Sequence, residues 1–484
     1  MVRFRSILTI SALVFCAAFA GCRINTSNQL GSQSQTSGNS SVVLAVTDTP
    51  PTNVSILSAE ATLTGATLTP GNVSLFSGST TVELTRLQTD IAYLATAANI
   101  PAGNYTAVTL TFASPVLTIE NDTTAAIVSG TVTCAVGSIC TIAPTTTANL
   151  STTIPVTLNL ASSSTAGLLI DVSLDNLLTA TMGEDFKAGT TVSSFTPGGA
   201  GAPLVGAEDV VGHVGTVTAS SGTFTLQNAL GSYSLKVDST STFFQFPSSV
   251  CTTPGIACLN ANQILSVDIG IQSDGTLLAR NILFEDADSS DIEVEGMIVG
   301  TNLGLQQFTI VALSESSSVS GLAIGNTAIV QYSTAPSTPT SPQTTFDVDL
   351  VHADSATLGT TGFLFAAPTD LVVGQQVSIR RNGSLSGSQI VADRVRLRSS
   401  RITATVQSVG APNLYLYNLP SLFFGHGGIT QIVAQTGTAT IFSENDAAKI
   451  FTEVPVAGVV SVRGPLFNVS GGRTLVAEKV VLKP

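Results

Sequence analysis

The sequence predicts an all-β protein, and three observations say so. Runs that are β-branched or alternate with a two-residue period recur along it, such as Val54-Ser55-Ile56 and Thr106-Ala107-Val108-Thr109-Leu110-Thr111-Phe112. Proline and glycine punctuate them at Thr49-Pro50-Pro51, Pro70-Gly71-Asn72 and Pro101-Ala102-Gly103-Asn104. Helical patterning is scarce. Ser443 to Lys449, with an N-cap serine and an acidic first turn, is the one short helix expected. Many short strands with regular turns point to sandwiches or barrels.

The first 21 residues read as a targeting segment rather than fold. Arg3 and Arg5 give a positive start, Ser6 to Phe19 is apolar, and Phe19-Ala20-Gly21-Cys22 follows. Small residues fit a signal peptidase, and the cysteine after them offers the thiol that diacylglyceryl transfer needs. The four residues resemble the bacterial lipobox, with Phe19 in place of leucine. That resemblance implies an exported lipoprotein anchored through Cys22. An ordinary secretory signal cleaved near Ala20 is the rival. Acyl chains add about 0.8 kcal/mol per buried CH₂, so several hold a protein on a bilayer. Arg23, where an aspartate would retain the protein at the inner membrane, points to the outer membrane. Residues 22–41 are too polar to bury a core and are expected to form a flexible tether.

Composition narrows the function. Charged residues make up 10% of the 484, and the formal net charge is −13, which argues against general nucleic-acid binding. No later apolar run approaches the ~18 residues of a spanning helix. Of six cysteines, Cys16 leaves with the signal and Cys22 takes lipid. Cys134 with Cys140, and Cys251 with Cys258, are local pairs that read as disulfides closing small loops in an exported protein. A four-thiolate zinc site is the rival, but these spacings are not those of zinc ligands.

Residues 42–192 form the first expected domain. Val42-Val43-Leu44-Ala45-Val46-Thr47-Asp48-Thr49-Pro50, then Val82-Glu83-Leu84-Thr85-Arg86-Leu87, then Ile100-Pro101-Ala102-Gly103-Asn104-Tyr105 lie along it. These segments resemble the bacterial domain of unknown function 4382 of envelope lipoproteins. The resemblance implies a β-sandwich, immunoglobulin- or transthyretin-like, and no activity. Residues 193–208, with Pro197-Gly198-Gly199-Ala200-Gly201-Ala202-Pro203, read as a Gly/Pro linker.

Three repeats follow, at 209–290, 291–400 and 401–484. Each begins with one hairpin and ends with another. The opening hairpins are Gly212–Val217 with Gly222–Leu226, Val294–Val299 with Gln307–Ile310, and Ile402–Val406 with Asn413–Leu416. The closing ones are Leu265–Ile269 with Leu277–Ile282, Val377–Ile379 with Ile390–Val395, and Val459–Val462 with Leu475–Val480. The pattern resembles domain of unknown function 5666, which implies small OB-like β-barrels. Such barrels often bind oligosaccharide or nucleic acid, though a fold does not name a function.

Little in the chain carries catalytic chemistry. His213, His352 and His426 sit in separate segments without acidic or cysteine partners at ligand spacing. Phe423-Phe424-Gly425-His426-Gly427-Gly428 suggests an esterase loop, but no Gly-x-Ser-x-Gly elbow accompanies it, so it reads as a glycine turn with an exposed His426. The acidic run Glu285 to Asp291 lacks the glycine and final glutamate of a calcium loop and reads as a solvated connection. Arg394, Arg396 and Arg398 alternate with Val395 and Leu397, which puts three guanidinium groups on one strand face. Asp291, Glu293 and Glu295 alternate likewise. The expectation is that these strands lie side by side as a charge ladder. The alternative is an arginine face, with Arg380, Arg381 and Arg401 nearby, that holds anionic glycan or lipid phosphate.

The sequence therefore predicts a lipid-anchored, non-enzymatic envelope protein without cofactor or metal, acting as a binding or adhesion module for glycans or envelope partners. A structural spacer is the second reading, and a hydrolase with an inconspicuous site the third. Radiolabelled fatty acid is expected to enter the wild type and not Cys22→Ala; equal labelling of both would exclude the anchor.

Overall fold

The protein is seen in a computed structural model that describes residues 29–483 apart from 31–38, 50–54, 143–146, 149, 175–183, 199–205, 229–230, 288–291, 316–321, 336–342, 350–354, 359–361, 382–388, 445–446 and 471. Cys22, Asp291 and His352 lie outside the described residues.

Val42 to Val46 is an unbroken apolar run, and all five residues are buried. Their strand, Ser40–Thr49, is central in a four-stranded sheet between Thr165–Ser173, which runs parallel to it, and Ala92–Ile100. Thr190–Phe195 completes that sheet. A second sheet has Ser151–Leu160, Gly103–Glu120, Ser55–Thr69 and Val73–Glu83 in that order. The two face each other as a sandwich. Val42, Leu44 and Val46 share a core with Leu63, Leu68, Leu110 and Phe112 of the facing sheet. The opposite face, with Val43, Ala45 and Tyr93, packs on the next domain. A strand buried on both faces needs apolar residues at every position, so its run does not alternate.

Each repeat is a closed ring of five strands. In the first these are Gly206–Thr218, Thr223–Asn228, Gly231–Lys236, Ile264–Ile271 and Leu277–Asp286. Going round, the order is one-two-three-five-four, and the parallel pairing of Leu235 with Leu277 closes the ring. The second uses Ile292–Asn302, Gln307–Glu315, Thr327–Gln331, Gln376–Arg381, and Gln389–Val391 running on into Arg394–Gly410. Its order is the same, closed by Ile329 beside Gln389. The third repeats it with the far half of Arg394–Gly410, then Asn413–Tyr417, Ile432–Glu444, Val459–Val469 and Gly472–Leu482. Arg394–Gly410 is thus the last strand of one barrel and the first of the next. The expected boundary at residues 400 and 401 falls inside it. Inward-facing aliphatic side chains, joined by aromatic ones such as Phe224 and Phe308, fill the barrels.

Other expectations need correction. Ser193–Phe195 is not linker but sandwich strand, and Gly206–Glu208 already belongs to the first barrel. The backbone there finds partners despite its small side chains. The tether is not wholly free: Gln29–Leu30 pairs in parallel with Ser232–Tyr233, and Ser40 and Ser41 are buried. Ser443 and Glu444 end a strand that pairs with Val481 and Leu482, and Ala447–Lys449 is a strand paired back on it. Tertiary pairing overrides the local capping signal there. Phe423-to-Gly428 is no open turn: Ser421–Gly427 is a short helix, ended by Gly428 in the left-handed conformation. The exposure expected of His426 lies outside the described side chains.

Both local cysteine pairs sit at disulfide distance, with Cα separations of 5.7 Å for Cys134–Cys140 and 5.8 Å for Cys251–Cys258. No helix among the described residues is long and apolar enough to cross a membrane.

The barrels dock on the sandwich. Gly275, at φ +81 in a turn of the first barrel, meets Thr96, whose hydroxyl donates to the Gly275 carbonyl at 3.1 Å. An added Cβ would press on Val43 and Thr96 at 3.1–3.3 Å. Leu57 of the sandwich packs with Val299, Val311 and Leu313 of the second barrel and Leu422 of the third.

Candidate functional site

The segment after strand Val73–Glu83 builds the site. Glu83 caps the 3-10 turn Leu84–Leu87: its carboxylate accepts from the backbone N–H groups of Arg86 at 3.0 Å and Ala59 at 2.8 Å, and from the Thr85 hydroxyl at 2.8 Å. A cap held this firmly sets the direction of the following chain. Arg86 reaches Glu295 of the second barrel at 2.7 Å and the Asp209 carbonyl of the first at 3.0 Å. Gln88 accepts from Thr403 of the third at 3.1 Å. The Ile91 N–H donates to the Gly206 carbonyl. Residues 85–91 therefore touch all three barrels.

Asp90 is the focus. Arg401 donates to its carboxylate at 2.8 and 3.0 Å, Lys479 approaches at 3.5 Å and Arg463 at 3.7 Å. Arg463, fully buried, also pairs with Asp209 at 2.9 Å and with Glu208. Burial alone would raise the Asp90 carboxyl. Arg463, Arg401 and Lys479 overrule it and hold the group well below the usual carboxylate range. Burial pushes the Lys479 ammonium down, with Asp90 opposing.

A second centre lies beside it. Glu285 accepts from Arg394 and Arg396 at 2.7 Å each and pairs with Arg398 at 2.9 Å. Arg394 also meets Glu293, Arg398 meets Glu295 and Asp349, and Arg396 meets Asp347. Arg380 bridges Asp286 and Asp393. Glu285 and Asp286 are thus not a solvated connection. They end a barrel strand, and Glu285 is buried among guanidinium groups. Burial pushes the Glu293 carboxyl up to about 7, with Arg394 opposing and Glu285 adding to the rise.

The expected ladder is corrected in its geometry. Strand Gln376–Arg381 runs between the acidic and the arginine strands, pairing Glu293 with Arg380 on one side and Arg380 with Arg394 on the other. The charges still meet because all three strands present these positions on one face and arginine is long enough to cross the middle strand. The three arginines face away from the barrel core occupied by Val395 and Leu397, towards the end of the first barrel, and are matched by the chain's own carboxylates. They leave no open anionic-ligand face. Among the described residues no three His, Cys, Asp or Glu side chains gather to hold a metal ion.

Next to this network lies a cleft of about 430 Å³. Its lining comes from the sandwich (Ser55, Thr85, Gln88), the second barrel (Gln376) and the third (Thr403, Asn418, Phe424). Arg401 lines it too, with Nη1 on Gln376 at 3.0 Å and the rest of its guanidinium on Asp90. The cleft has no signature in the sequence, since its walls come from segments hundreds of residues apart. One signal for the network was present: Arg463 in Val459-Val460-Ser461-Val462-Arg463 and Lys479 before Val480-Val481-Leu482 are charges in otherwise apolar strands. A buried charge needs a partner.

No family model matches the chain, and no curated protein matches it.

Asp90→Asn keeps the shape and removes the charge, leaving three buried cations under-compensated. It is expected to cost about 3–5 kcal/mol in urea denaturation at pH 7.5. Glu293→Gln is expected to cost much less, because that carboxyl is already pushed up to about 7. Between about pH 7 and 4.5 the folded state takes up the Glu293 proton before the unfolded one, so this group adds stability as pH falls. Asp90 keeps its contribution down to about pH 4 and gives it up below. Equal losses in the two variants would contradict this assignment.

Proposed function

We propose that this chain is a lipid-anchored, non-enzymatic protein of the bacterial envelope, held at the outer membrane through Cys22. It serves as a binding module for a glycan or another envelope component, and the ligand enters the cleft. The cleft carries this reading. Its volume is typical of small-ligand sites, roughly 300–1,000 Å³, and polar groups from three domains converge in it beside apolar walls. Among the described residues its arginine, Arg401, is already engaged and its carboxylate, Asp122, is exposed, an arrangement suited to holding rather than to acid–base work.

The strand order of the rings, with strands three and five parallel, supports an OB-like type for the barrels. The two facing sheets support an immunoglobulin- or transthyretin-like sandwich. The motifs quoted above are what support kinship with domains of unknown function 4382 and 5666. The spacer reading is weaker, since the sandwich gathers all three barrels to itself and so shortens the reach of the chain.

The test is thermal shift with oligosaccharide and peptidoglycan fragments released from the envelope, comparing wild type with Thr405→Trp, which fills the cleft. A rise in melting temperature confined to the wild type is expected. The same rise in both would move binding elsewhere, and no rise in the wild type would remove the binding reading.

A further inference from the structure

We infer that the cleft takes an uncharged saccharide unit, gripped edge-on by amides and hydroxyls and face-on by an apolar wall; this rests on the cleft being the ligand site. The polar wall is neutral. Gln88 accepts from Thr403 through Oε1, and Gln376 accepts from Arg401 through Oε1. Each carboxamide is thereby fixed in its plane by one end. Among the described residues neither Nε2 has a hydrogen-bond partner, so both remain as donors to a ligand hydroxyl. Asn418, exposed at the edge and holding Thr405 at 3.4 Å, adds a third carboxamide from another domain.

The charges exclude an anion. Arg401, the one cation among the described lining residues, spends Nε and Nη2 on Asp90 and Nη1 on Gln376 and the Ser399 carbonyl. Asp122 is exposed and lines the same cleft. A phosphate, sulfate or uronate would find no open cation there and would face a carboxylate, an arrangement that selects by repulsion. Leu419, Phe423 and Phe424 supply apolar lining, and of these Phe424 is the exposed one, at 43%, in a chain that has no Trp. A pyranose has an apolar C–H face and a hydroxyl edge, which match the exposed Phe424 ring and the carboxamide donors of this lining.

The experiment is titration calorimetry on the mature protein with uncharged trimers of glucose, galactose and N-acetylglucosamine, trigalacturonate as the acidic counterpart, and trialanine. At least one uncharged trimer is expected to bind, with trigalacturonate and trialanine silent. Gln88→Ala, Asn418→Gly and Phe424→Ala are each expected to weaken it about tenfold; position 424 is exposed and Asn418 sits at φ +51, which glycine adopts without strain, so both variants are expected to keep the fold, which the melting temperature verifies. If trigalacturonate or trialanine binds instead and Thr405→Trp blocks it, the cleft remains the site and the saccharide class is wrong. If an uncharged trimer binds equally well to Thr405→Trp, the cleft itself is wrong. Silence of every uncharged trimer overturns the inference.

Discussion

A single carboxylate, Asp90, lies buried among Arg401, Arg463 and Lys479, and the arrangement of the domains depends on it. Ions taken from water cost free energy that their mutual attraction recovers only when all partners are in place. Asp90 comes from the sandwich and its cations from the third barrel. Arg463 carries the chain of charges on to Asp209 of the first barrel, and Arg86 carries it to Glu295 of the second. Arg86, Arg380, Arg394, Arg396, Arg398, Arg401, Arg463 and Lys479 all enter such pairs, eight of the chain's 18 Lys and Arg residues.

The net free energy of docking comes from apolar contact instead: Val43 and Tyr93 against the first barrel, Leu57 against the second. Apolar faces attract without direction. The charges select one arrangement, because any other leaves a buried ion without a partner. The cleft is a by-product of that choice. Gln88 is two residues from Asp90, and Arg401 serves network and cleft wall together. A shift that separated sandwich from third barrel would break the network and the cleft in one step.

Local physics makes the strands legible. Period-two runs and glycine or proline turns depend only on near neighbours along the chain, so both hairpins of every repeat stand out in the sequence. The helix expected at Ser443 fails because pairing with the C-terminal strand outweighs a serine cap. Arg394, Arg396 and Arg398 do share one face, with Glu293 and Glu295 as counter-charges. The strand between them is legible at Val377–Ile379, but its place between the two is not, because sheet order is a long-range property. Asp90 gives no local signal, since its partners lie more than 300 residues away. Glu285 reads as solvated because its acidic neighbours follow it in sequence, while its three arginines come from another repeat.

The most direct test is to break the covalent link and ask whether the charges and apolar faces hold without it. A protease site inserted between Gly199 and Val205 would separate sandwich from barrels along the chain. After cleavage at pH 7.5 and low salt, the two pieces should elute together from a sizing column at the position of the uncut protein. Pieces that elute separately would contradict the account, because the sandwich would then be joined to its barrels only by the peptide.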